Sequence, residues 1–437
     1  MNALTCGVLV VGAGPAGIAA ACCAAEAGRQ VTVLDDNPSA GGQIWRGQHV
    51  EPNSSESADW LNRIRSSGIV SVMTGARVVS GNARDHCVMV ELSSGACRIH
   101  FQKLILATGA RERFLPFPGW TLPNVTGAGG LQALVQGGLP IRGKRVVIAG
   151  SGPLLLAVAS HLQEKGAEVA LIAEQSSWKN LLRFGFGLLR FPGKAFQALD
   201  FQGLVRRVPF KAGCWIEEAI GDGKLQGVRI RQGKRVWEEP CDYLACGFGL
   251  CPNVELAALL GCEIEDGAVR VDEGQRSSVA DVYCAGEVTG IGGVDVSLIE
   301  GQIAGYVVTD RIDKARPRIK KRRQLLRFAR SLQESFSLRE ELKSLPTSET
   351  VVCRCEDVTL GRLQDKRSWR EAKLQTRCGM GPCQGRICGP VTEFLLNWKM
   401  ESIRPPIFPV RLGALCDLTP NESQALARSA VHALDDV

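Results

Sequence analysis

Five cysteines lie close together in the last quarter of this 437-residue chain. Two belong to the stretch CRCE and three to the stretch TRCGMGPCQGRICGP. These cysteines are Cys353, Cys355, Cys378, Cys383 and Cys388. In a chain expected to stay inside the cell, clustered thiols indicate metal or redox chemistry rather than a framework of disulfides.

The spacing of the thiols separates two kinds of metal site. Structural zinc usually takes C-x₂-C pairs, and neither stretch contains one. A [2Fe–2S] cluster needs four thiolates, and C-x-C followed by C-x₄-C offers them at irregular spacing. We expect C-x-C to be extended, with both side chains on one face, and the Gly- and Pro-rich second stretch to be an irregular loop. Its glycines leave backbone N–H groups to point at sulfur, and Arg354, Arg377 and Arg386 favour thiolate over thiol. The sequence therefore predicts a [2Fe–2S] cluster, with zinc and unmetallated thiols as alternatives.

A second chemical signal opens the chain, in VLVVGAGPAGIAAA. A G-x-G-x-x-G motif directly follows a short apolar strand and begins a helix, so that backbone N–H groups can hold a pyrophosphate. An acid ends the next apolar strand, where its carboxylate can accept from ribose hydroxyls. The residues expected to bind the nucleotide are Gly12, Gly14, Pro15, Ala16, Gly17 and Asp35.

Three further stretches indicate that this nucleotide is FAD: GGQIW, LILATGAR and VADVYCAGEVTG. The set resembles flavoproteins with two dinucleotide-binding domains, which usually carry Asp where this chain has Glu287. This acid is expected to hold a hydroxyl of the ribityl chain. The additional residues expected at the flavin are Gly42, Gln43, Ala107, Thr108, Gly109, Gly286 and Glu287.

A second strand–turn–helix–strand unit, built around GSGPLLLAVASHL, departs from the motif. Gly150 and Gly152 are present, but Leu155 replaces the third glycine and is expected to push the helix away from the strand. The acid, Glu174, comes one residue late, so that Ala173 takes the position equivalent to that of the first acid. In two-domain reductases this module binds NAD(P)H. We expect a degraded module that does not support hydride transfer.

Composition narrows the class of protein. The net charge of +7 is modest, and much of it lies between Arg311 and Arg330. This basic segment predicts either a solvated connector or a docking surface, and without interleaved aromatic residues it does not predict nucleic-acid binding. Glycines interrupt the apolar run Val8–Ala25, which predicts neither a membrane span nor a signal peptide. The expected location is the cytoplasm.

The cysteine stretches resemble a known module. CRCEDVT followed by GMGPCQGRICGP is similar to the bacterioferritin-associated-ferredoxin-like [2Fe–2S] module. That resemblance implies Cys353, Cys355, Cys383 and Cys388 as the ligands, with Cys378 as a fifth thiol and an alternative ligand.

The resemblance extends to nearly the whole chain when PFPGWTLPNVTGAGG and the later RPPIFPVRLGAL are added. The chain resembles the FAD-containing α subunits of bacterial hetero-oligomeric amino-acid dehydrogenases. This group includes the A subunit of opine oxidase, the α subunits of proline and D-hydroxyproline dehydrogenases, and the B subunit of hydrogen cyanide synthase. The implied fold is α/β, with two Rossmann-like dinucleotide-binding modules and a small C-terminal [2Fe–2S] domain.

The family resemblance also implies a division of labour. A separate β subunit resembling D-amino-acid oxidase oxidises the amino acid, and this chain passes the electrons to the respiratory chain or another acceptor. The candidate substrates are D-hydroxyproline, proline and an opine. Further implications are ATP or NAD held at Gly150 and Gly152 without turnover, FMN at the partner interface, a further small subunit, and a peripheral position at the inner membrane. No catalytic residue is predicted in this chain.

Three alternatives remain open at this point. They are a hydrogen cyanide synthase subunit, an NAD(P)H-dependent reductase that feeds its own cluster, and a non-catalytic scaffold that binds nucleotide and metal. The predicted domains are 1–118 with 240–312 for FAD, 119–239 for the degraded module, 313–345 for a basic linker and helix, 346–400 for the cluster, and 401–437 for a tail that contacts another subunit.

Overall fold

The structure is a computed structural model that describes residues 3–45, 55–188, 208–400 and 402–416. These residues form two units. The first draws on Met1–Gly109, Pro252–Arg323 and Ile403–Val437, and the second on Ala110–Cys251 and Gln324–Ser402. The five predicted domains divide the chain more finely, and their boundaries stay a prediction.

The strands of the described residues are short, apart from β1 and β6. They are β1 Ala3–Val11, β2 Val31–Leu34, β3 Val70–Met73, β4 Arg77–Asn82, β5 Cys87–Leu92, β6 Gly95–Leu106, β7 Ala110–Glu112, β8 Val125–Gly127, β9 Arg145–Gly150, β10 Glu168–Glu174, β11 Phe210–Ala212, β12 Cys214–Ile220, β13 Gly227–Gln232, β14 Arg235–Pro240, β15 Tyr243–Gly247, β16 Leu250–Pro252, β17 Ile264–Glu265, β18 Ala268–Val269, β19 Val282–Cys284, β20 Val351–Cys353 and β21 Val358–Thr359.

The helices of the described residues include one of 24 residues, α8. They are α1 Pro15–Glu26, α2 Ser55–Ser66, α3 Ala128–Gln136, α4 Leu154–Glu164, α5 Trp178–Leu188, α6 Glu255–Leu259, α7 Val294–Val307, α8 Ile312–Ser335, α9 Trp369–Thr376, α10 Cys388–Leu396 and α11 Leu412–Cys416. Short 3₁₀ turns lie at Glu287–Thr289, Glu340–Ser344 and Leu360–Arg362.

One sheet forms the centre of the first unit. Its order is β3-β2-β1-β6-β5-β4, and β19 also pairs with β6. The β1, β2, β3 and β19 pairings are parallel, whereas the β4–β5 and β5–β6 pairings are antiparallel. Leu9, Val10, Leu104 and Ile105 are fully buried, as expected for strands covered on both faces. The strand order reverses at β1, which leaves a crevice at the carboxyl ends of the strands.

Helices α1 and α7 pack against each other through residues with little or no side chain. A Cβ atom on Gly301 would lie 2.1 Å from the carbonyl oxygen of Ala16, and one on Gly305 would lie 2.4 Å from that of Ala20. Backbone therefore meets backbone along this contact, and only glycine fits on α7.

The second unit contains a parallel sheet in the order β11-β10-β9-β15-β8 and an antiparallel sheet of β12, β13 and β14. Val147, Ile148 and Leu244 are fully buried between their neighbours. The pairing of β10 with β9 shifts by one residue between Val169 and Leu171, which marks a β-bulge.

The segment with the five cysteines folds within the second unit around a small core. β20 pairs antiparallel with β21, and Val352, Leu363 and Val391 are fully buried beside them. Helix α9 begins after Ser368, whose side chain accepts from the backbone N–H of Glu371 at 3.2 Å. This is the usual serine N-cap.

Two expectations about this segment were wrong. Cys355 does not lie in extended chain, because the turn 354–357 reverses the direction after β20 and Asp357 takes a left-handed conformation (φ 49°). Cys388 does not lie in an irregular loop, because it begins α10. Pro390 is compatible with this helix since it lies in the first turn, where its missing N–H is not needed.

The basic segment is largely the helix α8. Arg318 donates to the side chain of Gln302 at 2.7 Å, and Arg322 donates to Glu300 at 2.6 Å. Part of its charge is therefore structural within the first unit. Among the described residues, no helix combines the length and apolar character that a bilayer span requires.

Part of the predicted tail lies against the first sheet. The backbone N–H of Ile407 donates to the carbonyl of Val79 at 2.8 Å, and Arg411 pairs with Glu91 at 3.0 Å. Residues 417–437 lie outside the described residues, so the predicted subunit contact of 401–437 stays a prediction.

Gly301→Ala should destabilise the first unit, because the added methyl group would lie 2.1 Å from the Ala16 carbonyl oxygen. Overpacking typically costs about 1–3 kcal/mol. We expect the free energy of unfolding in urea to fall by at least this much. Gly185→Ala on α5 is the control, since no atom lies within 4 Å of the added methyl group. An unchanged Gly301→Ala protein would contradict the packing of α1 on α7.

Candidate functional site

The first candidate site is the carboxyl edge of the first sheet. Val11 is level with Leu34 on one side and with Leu106 on the other, and Leu106 is level with Cys284. The residues that follow these four therefore come together at one edge. They are Gly12, Asp35, Ala107 and Ala285. This is the place where open α/β sheets bind their ligands.

The glycines of the first motif are required by close contacts. Gly12 has φ 107°, and its Cβ would lie 2.2 Å from the Ala107 carbonyl oxygen. A Cβ on Gly17 would lie 1.8 Å from the Gly12 carbonyl oxygen. Gly42 lies over the turn, where its Cβ would be 2.8 Å from the Cα of Gly14. This leaves the turn with bare backbone, which a pyrophosphate can approach.

The other residues of this turn and loop are placed as follows. Pro15 is the first residue of α1 and Ala16 is buried behind it, so the helix begins directly at the turn. Gln43, predicted at the flavin, is exposed.

Asp35 is buried at the end of β2. Its Oδ2 accepts from the N–H of Ala13 at 2.6 Å, and its Oδ1 accepts from the backbone and side-chain amides of Asn37 at 2.8 and 2.6 Å. A carboxylate offers roughly four acceptor positions. Asp35 is therefore held rigidly and retains capacity for a ribose hydroxyl.

The turn after β6 is held by a residue that sequence reasoning missed. The hydroxyl of Thr108 donates to the Asn253 carbonyl at 2.7 Å, and the Asn253 side chain donates to the Thr108 carbonyl at 2.9 Å. The N–H of Asn253 donates to the carbonyl of Gly109, which has φ 68°. Asn253 lies 145 residues from Thr108, and no local pattern singles it out.

Glu287 lies in the turn after β19, following Gly286 at φ 82°. Its Oε1 accepts from the N–H of Gly293 at 2.7 Å. Within the described part of the chain, its buried Oε2 has no hydrogen-bond partner. Burial also raises the pKa of this carboxyl. An unpaired buried acceptor at this edge fits a ligand hydroxyl, so the residues present suit FAD.

The second module keeps the acid position that the sequence assigned to Ala173. The bulge in β10 absorbs one residue, so Glu174 lies level with Gly150. Glu174 accepts from the N–H groups of Gly152 at 2.8 Å and Ser176 at 2.7 Å, and burial raises its pKa. The equivalent of Asp35 is therefore Glu174, because the spacing argument assumed a regular strand.

The replacement of the third glycine by Leu155 is matched by a glycine opposite. A Cβ on Gly247, in β15, would lie 2.9 Å from the Leu155 Cδ2 atom. Leu155 itself is buried in the core of the module. The glycine that allows close packing therefore lies on the neighbouring strand β15 and not on the helix α4.

The chain after α8 lies against this second turn. The hydroxyl of Ser151 donates to the Phe336 carbonyl at 2.8 Å, and the Gln175 side chain donates to the Ser337 carbonyl at 2.9 Å. The Phe336 ring is the nearest group to Gly152, 3.9 Å from where a Cβ would stand. The side chains of Ser151 and Gln175, next to the turn, therefore donate hydrogen bonds to backbone carbonyls of the protein itself.

The five cysteines gather within the second unit. The sulfurs of Cys353, Cys378 and Cys388 all lie within 4.8 Å of one another. A cavity of about 280 Å³ adjoins them. It is lined by Phe114, Trp120, Cys353, Arg354, Cys355, Cys383, Ile387 and Cys388. The close group includes Cys378, whereas the cavity wall includes Cys355 and Cys383 instead.

The thiols act on one another. Hydrogen bonds from Cys378 and then Cys388 lower the pKa of Cys353 to about 2. A hydrogen bond from Cys388 lowers the pKa of Cys383 to about 5. Cys388 begins α10, whose N-terminal end also favours negative charge. Backbone N–H groups that bond to these two low-pKa sulfurs come from Glu356, Gly379, Gly385 and Ile387. Cys353 and Cys383 are therefore favoured as thiolates, the form in which a cysteine binds a metal. Burial raises the pKa of Cys355, and hydrogen bonds to neighbouring thiols raise the pKa values of Cys378 and Cys388.

Two aromatic residues, Phe114 and Trp120, line the cavity. The indole N–H of Trp120 donates to the Val351 carbonyl at 2.7 Å, and Phe114 lies beside the indole with ring centroids 6.0 Å apart. The cysteine loop is also packed tightly, since a Cβ on Gly381 would lie 2.3 Å from the Cβ of Cys355. Sequence reasoning gave Trp120 no role at the site.

Of the three arginines expected near the thiols, Arg354 lines the cavity. Arg377 pairs with Glu356 at 2.7 Å, and Arg386 lies 3.4 Å from the Cys383 carbonyl oxygen. The carboxylate of Glu356 therefore offsets much of the positive charge that Arg377 brings near the thiols.

Residues 7–315 match the family described as pyridine nucleotide-disulphide oxidoreductase. The nucleotide edges and this match define the class as an FAD-dependent oxidoreductase. The chain belongs to the pyridine nucleotide-disulphide oxidoreductase family.

Two relatives match most of the chain. The A subunit of opine oxidase from Rhizobium meliloti (strain 1021) is 33% identical over 458 residues, covering 94% of this chain and 98% of its own. Hydrogen cyanide synthase subunit HcnB of Pseudomonas aeruginosa is 31% identical over 422 residues, covering 87% and 90%. These similarities confirm the predicted family resemblance.

Among solved structures, L-proline dehydrogenase from P. horikoshii matches with a TM-score of 0.69 and 19% identity, covering 95% of this chain and 80% of that chain. The match confirms the predicted α/β fold of Rossmann-like modules, and the C-terminal cysteine group fits a small iron–sulfur domain.

Glu287→Gln should make the stability of the FAD-free chain less dependent on pH. Because burial raises the pKa of Glu287, the folded FAD-free chain retains this proton where the unfolded chain has lost it. Stability contributed by this group is therefore lost as the pH rises above about 4.3, the ordinary value for Glu. Gln cannot ionise, so thermal unfolding of the variant should lose less stability over that range.

FAD binding should weaken when the acceptor itself is removed, as in Glu287→Ala. A hydrogen bond to a charged acceptor contributes about 1.5–3 kcal/mol, so we expect the FAD Kd of this variant to rise by about 10- to 100-fold. Fluorescence titration of the FAD-free chain measures this. An unchanged Kd would contradict the role of the unpaired Oε2.

Proposed function

We propose that this chain is the electron-transfer flavoprotein subunit of a hetero-oligomeric amino-acid dehydrogenase. It receives electrons from the flavin of its partner and relays them through FAD and a [2Fe–2S] cluster to the respiratory chain or another acceptor. The observation that carries the proposal is the gathering of five cysteines, four of which line one cavity, in a chain that also has a flavin-type nucleotide edge.

In the first unit we propose sites for the pyrophosphate, the ribose and the ribityl chain of FAD. Gly12, Gly14 and the N-terminus of α1 would hold the pyrophosphate, Asp35 would hold the ribose, and the Oε2 of Glu287 would accept from a hydroxyl of the ribityl chain. FAD supplies two-electron chemistry and can also exchange electrons singly. The residues of this edge would bind FAD and orient it, with the turn at Gly12 in contact with its phosphates.

Cys353, Cys355, Cys383 and Cys388 are the proposed ligands of the cluster, because these four residues line one cavity and a cluster needs that space. Cys378 is the alternative, since its sulfur lies close to those of Cys353 and Cys388. It is fully buried on the side of the small core. Phe114 and Trp120 would exclude water from the cavity.

Serine variants distinguish the two ligand sets. Cys355→Ser should lose most of its iron and sulfide, whereas Cys378→Ser should keep both, because only the first removes a proposed ligand. Iron and sulfide per chain and the visible spectrum measure this, with Cys87→Ser in the first unit as the control. The reverse pattern would replace Cys355 by Cys378 in the ligand set.

The second module is proposed to hold ATP or NAD at Gly150 and Gly152 without turning it over. Glu174 supports nucleotide binding, because it is placed like Asp35. The contacts of Phe336 with the turn speak against productive entry of NAD(P)H and against the alternative of a self-contained reductase.

The proposed partner is a β subunit resembling D-amino-acid oxidase, with FMN at the interface and a further small subunit. The proposed substrate carries a CH–NH group, as in D-hydroxyproline, proline or an opine. Support comes from relatives that are named as subunits of opine oxidase and hydrogen cyanide synthase. The 31% identity to the second keeps a role in hydrogen cyanide synthase as the second candidate. The proposed place is the cytoplasmic side of the inner membrane, near a respiratory acceptor.

Anaerobic reduction of the full chain tests the relay. NADH alone should leave the flavin absorbance unchanged, whereas the partner subunit with its amino acid should bleach the flavin and then reduce the cluster. Visible and electron paramagnetic resonance spectra follow both centres. Rapid bleaching by NADH alone would make the chain a reductase, and no reduction by any donor would make it a scaffold.

A further inference from the structure

The side chain of Glu300 is almost completely buried, with 1% of it exposed. It projects from α7 toward the turn that carries Glu287. Its Oε2 accepts from the N–H of Gly286 at 2.9 Å and from the hydroxyl of Thr289 at 2.7 Å. Its Oε1 accepts from Arg322 at 2.6 Å. One carboxylate thus joins both ends of the turn to the helix α8.

This turn needs external support. It begins at Gly286 (φ 82°) and ends at Gly290 (φ 133°), and glycines give a backbone little stiffness of its own. Glu287 stands between the two residues that Glu300 holds. A Cβ on Gly286 would lie 2.7 Å from that of Ala16, so a shift of the turn would also disturb the start of α1.

Arg322 is the cation that faces this buried carboxylate. Removing one partner of a buried ion pair is strongly destabilising, because the remaining charge is then neither solvated nor paired. The side chain of Arg322 is 15% exposed, whereas the neighbouring pair of Arg323 and Glu273 is about 60% exposed on both sides. On the basic helix α8, Arg322 therefore pairs with a buried carboxylate, whereas Arg323 pairs with an exposed one.

We propose that Glu300 and Arg322 are the positioning pair of the flavin site. Glu300 clamps the Gly286–Thr289 turn so that the Oε2 of Glu287 faces the ribityl chain, and Arg322 holds the clamp through its hydrogen bond to the Oε1 of Glu300. The pair acts through Glu287 and touches neither substrate nor flavin. The inference rests on the proposed function, because it assumes FAD at this edge.

Four variants of the full chain test the proposal. Glu300→Gln and Arg322→Met should raise the FAD Kd at least tenfold, because each weakens the clamp. Arg322→Lys should recover most of the affinity, because it restores the charge. Arg323→Met, which removes only an exposed pair, should stay within twofold of the unmodified chain.

The readouts separate positioning from folding. Iron and sulfide content and thermal unfolding of the FAD-free chain show whether each variant is folded. At saturating FAD, Glu300→Gln should also shift the flavin midpoint potential, which a merely structural residue would leave unchanged. Wild-type affinity and potential in Glu300→Gln would overturn this inference alone. An unmodified chain that takes up no FAD would overturn the proposed function as well.

Discussion

The first unit depends on backbone meeting backbone at the carboxyl edge of its sheet. Gly12 lies against the Ala107 carbonyl, Gly17 against the carbonyl of Gly12, and Gly301 against that of Ala16. Side chains at these places would separate β1, β6, α1 and α7. The turn that begins at Gly12 and the turn that carries Glu287 keep their positions because these contacts are so short. Because these positions have no side chains, the backbone N–H groups of the edge are accessible to a ligand.

The second module reaches a similar arrangement by different means. Gly247 provides the space that Leu155 takes, and the bulge in β10 returns Glu174 to the level of Gly150. The polar groups of Ser151 and Gln175 then bond to the chain after α8. A module with this geometry retains its fold, while the region beside its turn serves the protein's own packing.

Much of the flavin edge could be predicted, because G-x-G-x-x-G and its acid are local patterns with a fixed geometry. Asn253, Trp120 and Glu300 could not, because each acts on residues distant in sequence or through a partner with no motif. The position of Glu174 was misjudged because a bulge leaves no clear trace in the sequence. The thiol group was visible from spacing, whereas the helical start at Cys388 was hidden by the glycines and proline around it.

Trp120 attaches the cysteine segment to the rest of the second unit. Its indole donates to Val351, the first residue of the strand β20 that ends at Cys353, and the cysteine segment shares one unit with the second module. The cysteine segment is therefore a packed part of the second unit and not a separable appendage. Deleting it would expose part of the core of the second module, against which Ile387 and Phe394 pack.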